Sequence, residues 1–570
     1  MTVGVASFRV RAAAAVRAVV AALVVATALT ACSTKQVETT TSARGGTLTV
    51  LAGEKVASWD PQQVESAPAG AFATRTYLRT LTTQAPGGVG FSSGLIPDLA
   101  TTTGYPSEDG LSWRFSLGSN ARWQDNRFVT CEDVRYGVSR AFADAVTPAT
   151  PGTGSWYART LLDIPSTTSA DGSVHSAYAG PYAGTGQALF DAAVSCTDDQ
   201  ITFKLKAPRA DFDEIVSLPA FGPYRKDVDP RLTGVNADPD HWVFSCGPYM
   251  LEGLWDPEKA VGGRFVRNRN WVSLLDHVRD AYPDVIEVQD HGPATADLQR
   301  IVDDGGPPSS GRTSVTWSSA PAAMFAQLGA APVSDRVTNP DSPTVDLLVP
   351  APSSSALSVP AVRQAFAMAT DRQAYSDAYG GEKAVLPTAS AIPRAIAGHQ
   401  DLQPFGVGLA GDPAAAAAVL AKAGVPAPVA VTVTRPSSPQ AEQALEAMTG
   451  AWSKAGFAVT VVATGGDLSW SSVSAAVPTA GAVLPLALAG SMGSTVPALA
   501  AELATANAEV DPSLRAEKWG ALDAESVTAG RYIALGQHRH LFVHGSDVLR
   551  AEDDIAQGGF VDVAGLQVVH

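Results

Sequence analysis

Apolar and polar side chains alternate through Gly45-Gly46-Thr47-Leu48-Thr49-Val50-Leu51, and this period of two predicts a first, half-buried strand. The same period predicts strands at 113–117, with Trp113, Phe115 and Leu117 on one face, and at 201–205. Between them, 132–142 sets Val134, Val138, Ala141 and Phe142 at helical spacing. Its leading acids, Glu132 and Asp133, suit the positive end of a helix dipole. Pro, Gly, Ser, Thr and Tyr dominate 147–186, which predicts a long irregular excursion. In the second half the period changes to three or four. A helix is predicted at 360–379, with Val362, Ala365, Phe366 and Ala369 on one face. An Ala/Leu helix follows at 414–423, closed by Gly424. A third, at 440–455, lies between strands at 429–433 and 457–462, an order that predicts a parallel pair joined by a right-handed crossover. Strand-like alternation returns at 531–544. No internal repeat is found, and a crossover between lobes is expected within 290–321.

The N-terminus reads as an address. Arg9, Arg11 and Arg17 precede an uncharged apolar stretch, 18–31, that ends at Cys32. Its fourteen residues fall short of the roughly 20 that a membrane-spanning helix needs, so the pattern is that of a secretory signal, 1–31. Leu29-Thr30-Ala31-Cys32 resembles a bacterial lipobox, in which the cysteine becomes lipidated and N-terminal. Residues 32–44 then form a polar tether. Two acyl chains suffice for stable anchoring, so the mature chain is expected outside the cytoplasm, lipid-anchored to the cell membrane.

Length and charge narrow the field. At 570 residues, 45 % hydrophobic and 17 % charged, the chain can build about two to four lobes around substantial cores. The formal charge is −16, and −19 without the first 31 residues. Such an acidic chain lacks the field that holds nucleic-acid phosphates. In an oxidising compartment, Cys131, Cys196 and Cys246 imply one disulfide and one free thiol, and spacing leaves the three pairings open.

Catalytic signatures are weak. Gly90-Phe91-Ser92-Ser93-Gly94 matches G-x-S-x-G, but Pro86-Gly87-Gly88 before it and Leu95-Ile96-Pro97 after it make a loop, not the strand-to-helix elbow that exposes a nucleophile. His538, His540 and His544 would share one strand face, yet the nearest acid is Asp547, and packed or solvated histidines account for them better than a metal site. No phosphate-binding, dinucleotide or zinc-protease motif occurs. Neither a cofactor nor an enzyme is expected.

Several segments, in order, resemble the extracytoplasmic solute-binding proteins of ABC importers, family 5, the oligopeptide, dipeptide and nickel class. They are Gly45 to Val50 with Trp59-Asp60-Pro61; Leu95-Ile96-Pro97-Asp98-Leu99-Ala100; Ala121-Arg122-Trp123-Gln124-Asp125; Cys246-Gly247-Pro248-Tyr249 with Arg267-Asn268-Arg269-Asn270-Trp271; and Val362-Arg363-Gln364-Ala365-Phe366 through Thr370-Asp371-Arg372. Arg269 stands where the family pattern usually has proline.

The resemblance implies an α/β, two-lobe periplasmic-binding-protein-like fold of type II, cluster C-like, with a hinged cleft. Lobe I would span 45–275, with an extra subdomain inserted at roughly 70–190. Lobe II would span 276–508, and 509–570 would return to lobe I. It further implies a monomer that captures a small, peptide-like solute and passes it to ABC permease and ATPase subunits. Trp59, Asp60 and Tyr77 would face the cleft, although Trp59 and Tyr77 suit core packing equally well. Cysteines placed like Cys131 and Cys196 tend to occur in the actinobacterial branch, so these two are the expected pair.

One departure stands out. The aspartate that pairs with a peptide's α-ammonium would fall, by order, within 482–494, and no acid occurs between Asp467 and Glu502. Asp467 is the only nearby substitute, and weak binding of free peptides is expected. Two other readings are a lipoprotein of the same fold turned to sensing or scaffolding, and a tethered surface hydrolase.

Overall fold

The computed structural model describes residues 44–569 apart from 54, 65, 88–93, 120, 170, 235–237, 254–261, 291–293, 305–310, 492–496 and 552–557. The signal segment, Cys32 and most of the tether lie outside the described residues, as does all of the G-x-S-x-G stretch except Gly94.

Thr47–Leu51 is the predicted strand, and it is the centre of a sheet. It pairs in parallel with Val285–Gln289 on one side and Ser314–Thr316 on the other; Gly263–Arg267 and Tyr249–Leu251 extend the sheet antiparallel. Leu48, Val50, Phe265, Ile286 and Val288 fill its core with Trp59, Phe72 and Tyr77. A second sheet of lobe I joins Tyr105–Pro106, Ser112–Ser116, Gln200–Lys204 and Val194–Thr197. The helix Cys131–Arg140 covers this sheet. Thr130 and Asp133 form a reciprocal capping box at its start, which satisfies two otherwise free donors. The interval 147–186 is less irregular than expected: it holds the helix Gly154–Leu161 and the hairpin Ser166–Thr168 with Val174–Ser176.

Lobe II is built on a sheet in the order Val385–Pro387, Ile533–Arg539, Asp341–Pro350, Leu468–Ser474, Val429–Thr434, Phe457–Val462. The predicted β-α-β unit is present, with Val429 paired to Phe457 in parallel and Pro439–Lys454 as its helix. The expected 360–379 helix is two, Pro360–Ala369 and Arg372–Tyr379. The break is at Asp371, whose carboxylate caps the second helix by accepting from the Ala374 amide.

Two expected lobe boundaries move. Val285–Gln289 and Ser314–Thr316 flank the first strand of lobe I, so lobe I runs past 275 and through most of the interval 290–321 where a crossover was expected. Pro512–Ala529 packs Trp519, Leu522 and Val527 into the core of lobe II, and Ile533–Arg539 lies inside its sheet. The chain therefore returns to lobe I only after about 540, not at 509. The crossings lie side by side: Val337–Thr338 pairs antiparallel with Phe542–Val543.

Both thiol expectations are met. Cys131 and Cys196 form a disulfide with Cα atoms 5.9 Å apart. Cys246 is free and buried, and burial pushes its thiol up to about 12. Its neighbour Gly247 lies against the end of the helix Ala67–Thr76, where a Cβ would fall 2.3 Å from the Thr76 carbonyl oxygen. That contact gives the Cys-Gly-Pro-Tyr segment its need for glycine. Among the described residues no helix is long and apolar enough to cross a membrane.

Candidate functional site

A cleft with a cavity volume of about 200 Å³ opens where the two lobes meet. On lobe I its floor is one face of the helix Ala67–Thr76. Ala67, Gly70, Ala71 and Thr74 fall at intervals of three and four, so their short side chains form a single stripe. Thr83 and Gln84 on the strand Thr82–Gln84, the helix start at Gly152-Thr153-Gly154, and Ser217 to Ala220 complete this wall. Lobe II contributes Pro343 and the chain just past the strand Leu468–Ser474, from Ser474 to Pro478. No Asp, Glu, Lys, Arg or His is among the described residues lining the cleft. Small side chains leave backbone amides and carbonyls near the surface, which suits a ligand bound through its own backbone.

Charge sits one layer back, on the short helix Phe212–Ile215. Gln84 Nε2 donates to the Glu214 carboxylate, so this acid is one hydrogen bond behind the wall. Burial, then the neighbouring Asp213, pushes the Glu214 carboxyl up to about 8. Burial and Asp211 push Asp213 up to about 7. Asp211 behaves differently. Burial opposes its ionisation, but the Arg209 guanidinium and the Thr479 hydroxyl hold it below the usual carboxylate range. The Thr479 hydroxyl donates to Asp211 Oδ2 at 2.7 Å, a bond from lobe II to lobe I. The Ala210 amide to the Asn507 carbonyl at 2.7 Å and the Tyr157 hydroxyl to the Ala482 carbonyl at 3.4 Å also bridge the lobes.

The residues singled out from sequence sit elsewhere. Trp59 is fully buried; its indole donates to the Gly262 carbonyl at 2.7 Å, and it packs on Phe72, Tyr77 and Phe265. Tyr77, equally buried, donates to the Trp59 carbonyl, and burial and Asp60 push its hydroxyl far up. Asp60 accepts from both terminal guanidinium nitrogens of Arg140, Nη1 at 2.8 Å and Nη2, while Arg140 Nε reaches Asp229 at 3.1 Å. These three are core and ion pair, and the cleft is lined by other side chains. Asp467 precedes the strand whose far end reaches the cleft. It accepts from Ser354 Oγ at 2.6 Å and from the Thr432 amide and hydroxyl at 2.8 and 2.7 Å. Seven residues of strand separate it from Ser474, roughly 23 Å at strand rise.

The cleft-facing segment of lobe II is 474–478, earlier than the 482–494 expected by order, and it too has no acid. The histidines have separate partners: His538 pairs with Asp346 at 2.6 Å, and His540 stacks on Phe542 and lies tilted against Phe560. Sequence reading missed the cleft floor. Its signal was the 3-4 spacing of Ala67, Gly70, Ala71 and Thr74, which small residues carry only faintly.

This two-lobed α/β arrangement around a cleft is that of a solute-binding protein. A family model of bacterial extracellular solute-binding proteins, family 5, matches residues 94–478, and the chain belongs to that family. Solved structures share the fold. Similar ones include the clavulanic acid biosynthesis oligopeptide binding protein 2 (TM-score 0.77, 23 % identity, 92 % of this chain and 96 % of that one). The unliganded open form of the periplasmic murein tripeptide binding protein MppA gives a TM-score of 0.70 at 18 % identity, over 92 % and 97 %. Helicobacter pylori DppA in complex with the peptide STSA gives 0.64 at 17 %, over 92 % and 98 %. No curated protein sequence matches the chain.

Proposed function

We propose that the protein is a lipid-anchored extracytoplasmic receptor. In this reading it captures a peptide or peptide-like solute between its lobes and delivers it to the permease and ATPase subunits of an ABC importer. The observation that carries the reading is the cleft itself. Both lobes wall it and mostly short side chains line it. The reaction is binding and release, with hinge motion biased by ligand, and requires no cofactor or catalytic group. Solved structures of an oligopeptide binding protein, a murein tripeptide binding protein and a binding protein in complex with the peptide STSA support a peptide-like solute. The lipobox at Cys32 supports the anchor, and the protein is taken to act as a monomer.

Native mass spectrometry of protein purified from its own host tests this, because a closed cleft retains its ligand. A peptide-sized adduct, displaced by added peptide, is expected. Protein that carries no adduct and whose tryptophan fluorescence ignores a mixed di- to pentapeptide library would refute the reading. The acid-free lobe II wall leaves one rival, the same fold serving sensing or scaffolding. Loss of the gene would then leave peptide uptake intact.

A further inference from the structure

The cleft walls are neutral, yet the acids behind them outnumber the cations that act on them. Asp211, Asp213 and Glu214 share one short helix and its cap, while Arg209 and Arg515 are the guanidiniums acting on them. Arg209 is committed to Asp211 through two hydrogen bonds. Arg515 is turned to the carbonyls of Ala210 and Glu509. That leaves Asp213 and Glu214 with no salt bridge among the described residues. Both keep some solvent contact although protein surrounds them on most sides. Burying an unpaired carboxylate costs several kcal/mol, so an arrangement of this kind is stable when a proton or a cation fills it.

A second observation points the same way. Gln84 belongs to the cleft wall and is only 3 % exposed. Its Nε2 is spent on Glu214, but its Oε1 has no partner among the described residues. A buried amide oxygen left unpaired is itself costly, and it calls for a donor. Gln84 belongs to the cleft wall and the carboxyl pair lies directly behind it, so a solute group that displaces this amide from the wall meets acceptors suited to several N–H donors and a positive charge. A guanidinium or an ammonium is such a group.

Resting on the reading of the cleft as the solute site, we propose that Glu214, Asp213 and Gln84 form a subsite for a basic group of the solute. The charge partner missing from lobe II is thus supplied from lobe I. The raised carboxyl pair fits a site that holds protons when empty and exchanges them for the cation.

The test is calorimetry on the purified mature chain with matched probes. Acetyl-Ala-Arg-Ala-amide is compared with the same peptide carrying citrulline, which keeps the shape and removes the charge. Arginine amide is compared with citrulline amide, and free Ala-Ala-Ala with its acetylated form. The arginine member of a pair should bind at least about tenfold tighter, and Glu214→Gln, with Asp213→Asn as a second isosteric variant, should abolish that preference. A preference carried instead by the free α-amine of Ala-Ala-Ala, and lost in Glu214→Gln, supports the same subsite with an ammonium as its ligand.

Equal binding of charged and neutral probes, or a preference that survives both substitutions, overturns the subsite while leaving peptide capture intact. Arginine amide binding without any peptide binding, and lost in Glu214→Gln, would keep the subsite and sink the peptide reading. No probe binding at all counts against both.

Discussion

Asp60→Asn separates a structural role from a ligand role at the residue that sequence reasoning placed in the cleft. The side chain has no exposed surface. It accepts two hydrogen bonds from Arg140 and one from the Gln62 amide at 3.1 Å. Asparagine keeps the shape but removes the charge and turns an NH₂ toward guanidinium donors. Breaking a buried ion pair by removing one partner costs about 3–5 kcal/mol. Arg140 retains Asp229 at 3.1 Å and lies 3.6 Å over the Tyr224 ring, so the low end applies, ~3 kcal/mol. That is roughly a 150-fold change in the folded-to-unfolded ratio. Arg140→Met should cost more, because it strands both Asp60 and Asp229. Urea unfolding followed by tryptophan fluorescence reads the shift in midpoint, and calorimetry with the ligand found on the native protein reads affinity. The expected result is a large fall in stability with affinity unchanged below the unfolding transition. Stability within ~0.5 kcal/mol of wild type, with affinity lost more than about tenfold, would show that Asp60 touches solute and that the ion pair is incidental.

Trp59→Ala should destabilise by about 3–5 kcal/mol, as large-to-small core changes do, and leave affinity within a factor of about two in the same titration. Removing the disulfide with Cys131→Ala and Cys196→Ala reopens a 65-residue loop. It should cost ~4 kcal/mol on the chain-entropy model, measured by calorimetric unfolding, while Cys246 resists alkylation until the chain unfolds. Cys32→Ala should move the protein from the detergent phase to the aqueous phase of a Triton X-114 separation.

Glu214 should give a pH signature in the ligand-free protein. The unfolded chain loses this proton near the ordinary glutamate value and the folded chain only near pH 8, so stability falls as pH rises across that window. Glu214→Gln should therefore match wild type at pH 4 and exceed it at pH 8, by on the order of 2 kcal/mol once partial exposure is allowed for.

What could be read from the sequence had strong, local periodicity. The strands at 113–117 and 201–205, the capping-box helix and the lobe II β-α-β unit bury one face and leave the other more open, and each was found; the first strand was found by its alternation of residue types, although the fold buries nearly all of it. The strand Asp341–Pro350 escaped notice for the opposite reason: it is buried on both faces along most of its length, so it has no alternation to detect. The lobe boundaries depend on which distant strand pairs with Thr47–Leu51, and no local pattern encodes that choice. The cleft was the least legible feature. Trp59 and Tyr77 are conspicuous as residues, but large aromatics gain most by burial. The walls are Ala, Gly, Ser and Thr, whose value lies in leaving room. Gln84 and Glu214, 130 residues apart in the chain, gain meaning only when a hydrogen bond joins them.

The same use of small residues governs how the lobes meet. Thr479 reaches Asp211 across the interface. Beside it, Gly481 lies so close that a Cβ would fall 2.9 Å from both Arg209 Nη2 and Asp211 Oδ2. The direct lobe-to-lobe hydrogen bonds here are few, and each contributes about 1 kcal/mol net. Their sum, a few kcal/mol, is of the order that leaves a minor conformation populated at about 0.1–10 %. Apolar contact adds to them, since Val477 and Ala482 of lobe II pack among the core residues of lobe I. Acid-bearing lobe I and neutral lobe II each complete the cleft only when they meet, so a solute touching both adds its binding energy to one state alone. That differential affinity is what shifts a population. The few lobe-to-lobe hydrogen bonds and the unfilled acceptors behind the cleft wall are thus two sides of one requirement: closure should depend on the solute.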